Sequence, residues 1–262
     1  MEYISFGSGS SGNSSYLIHE NFGILLDAGL SFRTTKRFFS NYGLTLSCLQ
    51  AILLTHDHTD HSKSVGAISE AFQVPVYATA AVHDSVAVNH HICKKVPAAQ
   101  RKEFEKGDCF KLGPFRITVI HVPHDSADNN GFCIETEDKC VVLLTDIGHF
   151  TDEMAPFIER ATHLIVEANY DPEMLRVGPY PARLKHRITS PKGHSANTET
   201  ADFVAKHANP SLLKQVWLCH LSAENNLPEL ARRIVSESLS EKGPNAKVDT
   251  LPRRDPTPLC EL

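Results

Sequence analysis

The sequence predicts an α/β (α+β) fold with a sheet-on-sheet core flanked by helices, built as a single domain. Short apolar, β-branched runs recur in two batches, each closed by polar or glycine residues, as strands do. Longer segments with helical spacing lie between them, and several runs fall in hairpin-like pairs, which suits two packed sheets better than one doubly wound sheet. At 262 residues, with 41% hydrophobic and 22% charged side chains, the chain can bury one full core. No repeat, low-complexity tract or linker divides it. Residues 1–250 therefore read as one domain, and the Pro- and Arg-rich stretch 251–262 as a loose tail.

In chain order, the expected strands are 16–18, 23–27, 51–55, 74–78, 115–121, 131–135, 140–146, 164–167 and 216–220. Each is an Ile/Val/Leu-rich run too short for a helix of useful length. The expected helices are 32–42, 64–72, 80–86, 155–161, 198–207 and 228–239, where apolar residues recur at three- and four-residue spacing. Several strands end in a single ionisable residue. Asp27 follows Ile24-Leu25-Leu26, His56 follows 51–55, Asp146 follows 141–145, Glu167 follows Leu164-Ile165-Val166, and His220 follows 216–219. Such residues line one rim of a rigid scaffold, which is what a metal site needs.

Composition excludes several classes. A net charge of −5 gives no global attraction to nucleic acid or an acidic membrane, so a polyanion must be met by a local basic patch. The seven cysteines are scattered and form no CxxC pair, which argues against a disulfide framework or a thiolate zinc site. No basic start with a continuous apolar stretch opens the chain, and no run approaches membrane-spanning length. A cytoplasmic protein without a membrane partner is the expectation. Histidine, at 15 residues, is the outlier.

The chemistry concentrates in Thr55-His56-Asp57-His58-Thr59-Asp60-His61. Histidines two apart at a strand end point the same way and can chelate one ion, while Asp60 and His61, at the start of a helix, can face a second. Imidazole mixed with carboxylate suits Zn²⁺ or Mn²⁺, and also Fe²⁺. Asp57, between chelating residues, points away and is solvent-facing or structural. The alternative reading is a His-rich surface loop.

An HxHxDH run after an apolar strand resembles the metallo-β-lactamase superfamily. The resemblance implies a four-layer αββα sandwich and two divalent metal ions, with further ligands at His124, Asp146 and His220. It assigns His56, His58 and His124 to one ion, Asp60, His61 and His220 to the other, and Asp146 to both. Asp27 matches an early aspartate that supports the ligands from behind. His121 competes for the His124 role, but it sits inside a strand pattern, whereas His124 opens a polar loop.

Further text is similar to the YycJ (WalJ) group of this superfamily. It comprises 6–14 (FGSGSSGNS), Asn169-Tyr170-Asp171 with Met174-Leu175, 179–188 (PYPARLKHRI), 193–197 (GHSAN) and 219–226 (CHLSAENN). Tyr170 departs from it, standing where that group has a histidine. The group is related to the nucleases RNase Z and RNase J. The interval from Asp146 to His220 is too short for the inserted domain of RNase J. RNase Z-like enzymes pair a strand-end Glu with a later His to protonate a leaving group, and Glu167 and His194 match that pair. Stretch 174–194 carries Arg176, Arg183, Lys185, Arg187 and Lys192 and no acidic residue, as a phosphate-holding patch would. A solvated surface strip is the bland alternative. The Gly/Ser loop 7–13 reads as a tight hairpin that could offer N–H groups to a phosphate.

The expected activity is phosphodiester hydrolysis on nucleic acid, DNA or RNA, by an exonuclease in which a metal-bridged hydroxide attacks phosphorus. Asp60, Glu167 and His194 are the expected catalytic residues. Ser10, Asn13, Arg183, Lys185, Arg187, Ser195 and Asn197 are the expected substrate contacts. A thioesterase or lactonase on the same cage is the second reading, and a metal-binding regulatory protein without turnover the third. A thiolate leaving group needs little protonation, so dependence on His194 separates the first two.

Overall fold

A computed structural model describes residues 1–243 and 245–262. The chain divides into two compact units, Met1–Asp108 with Ser126–Asn130 and Pro252–Leu262, and Cys109–Asp125 with Gly131–Leu251.

The first unit holds strands β1 (Glu2–Gly7), β2 (Ser14–His19), β3 (Phe22–Leu26), β4 (Leu49–Leu53), β5 (Val76–Ala78) and β6 (Arg101–Glu103). Its helices are α1 (Phe32–Asn41), α2 (Thr59–Ser62), α3 (Val65–Phe72) and α4 (Ala80–Val88). β1–β3 form an antiparallel meander, and β3 to β6 continue it in parallel. Parallel neighbours need crossovers, supplied by α1 between β3 and β4 and by α2 and α3 between β4 and β5. Ser31 starts α1 by accepting a hydrogen bond from the Thr34 N–H at 3.1 Å. The core of this unit joins Ile4, Leu25 and Ile52 of the sheet with Phe38 and Phe39 of α1, Ile68 of α3 and Val82 of α4.

The second unit holds β7 (Cys109–Leu112), β8 (Phe115–His121), all but the first residue of β9 (Asn130–Glu135), β10 (Cys140–Leu144), β11 (His163–Glu167), β12 (Gln215–Cys219) and β13 (Lys247–Thr250). Its helices are α5 (Ala155–Arg160), α6 (Pro172–Val177), α7 (Ala182–Ile188), α8 (Asn197–His207) and α9 (Pro228–Lys242). β10 to β13 run parallel, while β7–β8 and β9–β10 are hairpins. β10 and β11 are buried along their whole length, which is why their text is continuously apolar rather than alternating. The core lies between Val142, Leu144, Leu164 and Leu218 of the sheet and Ile158 of α5, Val204 of α8 and Val235 of α9. Fully burying each such side chain is worth about 1.5–3 kcal/mol.

The strand and helix segments read from the sequence fall on β2–β5, β8–β12, α1, α3, α4, α5, α8 and α9. The stretch expected to run loose does not. Strand β14 (Cys260–Glu261) pairs antiparallel with β1, and backbone bonds join Thr257 N to Ser5 O and Ser8 N to Pro252 O. The edge of β1 leaves backbone groups unpaired, and the C-terminal segment satisfies them.

Candidate metal centre

In the first unit the donors follow β4. Chain geometry there is unusual, because Asp27, which closes β3, sits at φ 61°, a left-handed backbone that side chains other than glycine seldom adopt. That turn sends its carboxylate beneath the histidine run. Oδ1 accepts from the Thr55 N–H at 2.8 Å, Thr55 Oγ1 lies 3.0 Å from both carboxylate oxygens, and Oδ2 meets His61 Nδ1 at 2.7 Å. With Nδ1 held by Asp27, His61 presents Nε2 as its donor atom. The ring of His56 lies 4.7 Å from that of His58 and 4.1 Å from that of His61, centroid to centroid, and His56 and His61 are fully buried. Gly29 brings the chain against Asp60, since a Cβ at Gly29 would stand 1.6 Å from the Asp60 carbonyl oxygen.

In the second unit two residues expected as ligands, Asp146 and His220, also lie in the left-handed region, at φ 55° and 53°. Such strain costs on the order of 1–3 kcal/mol per residue and concentrates at functional sites. His124 Nδ1 lies 2.9 Å from the Gly193 carbonyl oxygen, which directs Nε2 toward Asp146. Asp146 Oδ1 is 3.6 Å from His124 Nε2 and 3.7 Å from His220 Nε2. Two donors bound to one cation at about 2.0–2.2 Å each stand roughly this far apart, so the donor set fits a divalent metal. Asn169 fixes His220, its Nδ2 lying 2.7 Å from the His220 carbonyl oxygen and 3.2 Å from Nδ1. His121, the competitor for the His124 role, is the last residue of β8, and it is His124 that faces Asp146.

Glu167 ends β11 and is fully buried. Its Oε2 accepts from the N–H groups of Ile147 (2.8 Å) and Ser195 (3.1 Å) and from Ser195 Oγ (3.2 Å). Oε1 receives His194 Nδ1 at 2.8 Å and lies 3.4 Å from His220 Nδ1. Those bonds fix Oε2 on the backbone and Ser195 and aim Oε1 at the His194 ring. Burial pushes its pKa up, but the charge and hydrogen bond of His194, with a hydrogen bond from His220, hold it below the usual carboxylate range. For His194, burial acts downward and is outweighed by Glu167, with Asp146 adding to it, so the imidazole pKa is raised. The His194 side chain keeps 16% of its surface exposed against 0% for Glu167, a buried anchor with a reachable tip.

Several residues expected as substrate contacts are buried in internal hydrogen bonds. Ser195 and Asn197 are both fully buried, Ser195 bound to Glu167 and Asn197 to Asn226 by reciprocal amide bonds of 2.9 and 2.8 Å. Asn226 also donates to the carbonyl oxygens of Ala168 and Asn169, bracing the segment after Glu167. Asn13 is buried in the β1–β2 loop, where Nδ2 lies 2.8 Å from His61 Nε2 and 3.2 Å from Asp60 Oδ2. Ser10 in the same loop is exposed. Asp57 is structural, accepting from the Ala127 N–H and from Ser85 Oγ. The basic stretch folds as α6 and α7. Arg176 pairs with Glu173, Arg187 forms a bidentate pair with Asp125, and Lys185 donates to the Arg176 carbonyl oxygen. Arg183 and Lys192 are exposed. Reading the sequence missed Asn169 and Asn226 as supports, although both stand inside the quoted motifs.

Fold and donor chemistry define a metal-dependent hydrolase of the metallo-β-lactamase type. The chain belongs to the beta-lactamase superfamily, matching the Beta-lactamase superfamily domain over residues 23–220. It is similar to exodeoxyribonuclease YycJ of Bacillus anthracis, at 34% identity over 243 residues, covering 93% of this chain and 90% of that protein. It is also similar to exodeoxyribonuclease WalJ of Streptococcus pneumoniae, at 36% identity over 267 aligned residues, covering 100% and 98% of the two chains. Among solved structures, the metallo-β-lactamase fold protein YhfI from Bacillus subtilis has the same fold, with a TM-score of 0.72 at 18% identity over 98% of each chain.

Proposed function

We propose that this protein is a metal-dependent exonuclease that hydrolyses phosphodiester bonds in DNA. The similarity to two proteins named exodeoxyribonucleases, along nearly the whole chain, supports the substrate class. The buried Glu167 beneath a half-buried His194 is the observation that carries the chemistry. A phosphodiester leaves as an alkoxide with a high pKa, and a nearby imidazolium removes that barrier.

His56, His58, Asp60, His61, His124, Asp146 and His220 are the residues assigned to hold two divalent ions, Zn²⁺ or Mn²⁺, with Fe²⁺ as the remaining option. Bound there, such ions would acidify water and offset charge on the phosphoryl oxygens. The chain's own residues do the rest. Asp27 and Gly193 orient His61 and His124, and Asn169 orients His220. Glu167 holds His194 Nδ1, so the proton for the departing oxygen leaves from Nε2. Arg183 and Lys192 attract the DNA backbone, with Lys185 and Arg187 beside them on the same segment. Hydrolysis of end-labelled DNA with Zn²⁺ or Mn²⁺, compared between wild type and Asp146→Ala, tests this. Turnover that Asp146→Ala leaves unchanged would remove the proposal.

A further inference from the structure

Away from these donors, β9 and β10 carry a thiol pair that the hydrolytic chemistry does not use. Cys133 stands opposite Val142 in the ladder and Cys140 opposite Glu135, which puts both cysteines and Glu135 on one face of the hairpin. The two Sγ atoms are 3.3 Å apart, and one Nη of Arg160, the last residue of α5, lies 3.4 Å from Cys133 Sγ. The same guanidinium faces Glu135 at 3.7 Å and rests on the ring of Phe157, 4.7 Å from its centroid. Cys133 is fully buried and Cys140 is 7% exposed, beneath an Arg160 side chain that is 39% exposed.

Two thiols and a carboxylate within reach of one another could hold a soft cation. The charges oppose that use. Arg160 sits on Cys133 and Glu135, and Arg116 meets the other Glu135 oxygen at 2.9 Å, so a cation would enter against two guanidinium groups. The same arrangement favours a thiolate at Cys133 next to a thiol at Cys140.

We propose that Cys133 and Cys140 form a peroxide-sensitive dithiol that closes to a disulfide, with Arg160 holding Cys133 as the reacting thiolate. The sulfur of Cys133 attacks one oxygen of hydrogen peroxide, the O–O bond breaks, and hydroxide leaves, giving the sulfenic acid. The sulfur of Cys140 then attacks that of Cys133. Its proton leaves with the sulfenic hydroxyl as water, and the S–S bond forms. Sulfur loses two electrons in all and the peroxide gains them. The hydrogen bond from Cys140 draws the Cys133 thiol down, and the Arg160 charge helps it against burial, while the Cys140 thiol is pushed up by Cys133 and by burial. One partner is thereby readied to attack and the other to resolve.

Peroxide treatment of the folded full-length protein, then alkylation under denaturing conditions and peptide mass mapping, tests this. The expected product is a Cys133–Cys140 linkage lighter by two hydrogens, reversed by dithiothreitol and absent from Cys133→Ser. Arg160→Gln is expected to form it more slowly, because the Cys133 thiolate loses its neighbouring positive charge. Full alkylation of both cysteines after peroxide, while exposed Cys93 and Cys109 are oxidised, would overturn the proposal. Linkage at the wild-type rate in Arg160→Gln would overturn the role of Arg160. Circular dichroism of each variant shows that it folds, and the wild-type result stands without either variant.

Discussion

Nδ1 of His194 lies 2.8 Å from Oε1 of Glu167, whose other oxygen is held by Ser195 and the Ile147 N–H. A carboxylate fixed on three sides sets the direction of the imidazole, so the two residues act as one unit. His194→Ala and Glu167→Gln are therefore expected to lower kcat on DNA by about 10²-fold or more, within the range for general acid catalysis. Hydrolysis of bis(p-nitrophenyl) phosphate, whose leaving group needs no proton, should fall far less. Parallel kcat measurements on the two substrates check this.

Asp27 offers a cleaner substitution than most. Its backbone is left-handed, and asparagine tolerates that region, so Asp27→Asn alters charge without straining the turn. The variant should fold, yet bind metal about 10–100-fold more weakly, because His61 loses an anionic partner. Isothermal titration with Zn²⁺ reads this directly.

Removing metal should also reach stability. An ion bound to the folded chain at a hundred times its Kd contributes about 2.7 kcal/mol. Chelator is expected to lower Tm in the wild type and to leave Tm of Asp146→Ala nearly unmoved, as followed by calorimetry.

His163 gives a pH dependence remote from the donors. Burial, with the charges of Lys139 and Lys214, lowers its pKa from 6.5 to about 4. Above pH 6.5 it is neutral folded and unfolded, and stability is complete. Between pH 6.5 and 4 the unfolded chain takes up the proton first, so stability falls as pH falls, by about 3 kcal/mol over the window. His163→Gln should flatten the denaturant-midpoint profile between pH 6.5 and 4.5.

The basic segment divides by partner. Arg176 is paired with Glu173, whereas Arg183 and Lys192 are exposed. Arg183→Ala and Lys192→Ala should each weaken DNA binding across sequences and reduce the salt slope by about one, and Arg176→Ala should do less. Anisotropy with phosphorothioate DNA over a salt series distinguishes them.

The strand-end ionisable residues were legible because each follows a buried apolar run. The runs before Asp27, Asp146, Glu167 and His220 became β3, β10, β11 and β12. What stayed hidden lacked that signal. β6 is Arg101-Lys102-Glu103, an edge strand with no apolar face, and β14 is two residues long. Helices α6 and α7 are short and surround a Gly-Pro turn, so their text read as a basic patch with no helix assigned. Ser195 and Asn197 were expected as substrate contacts, and their burial against Glu167 and Asn226 had no signal in the text because polar side chains are usually exposed.

The most direct test of the central claim is the rate of hydrolysis of end-labelled DNA by wild type, Asp146→Ala and His194→Ala with metal supplied. The expected result is metal-dependent release of nucleotides that Asp146→Ala abolishes and His194→Ala slows by about 10²-fold. Equal rates in all three, or turnover undiminished by chelator, would contradict it.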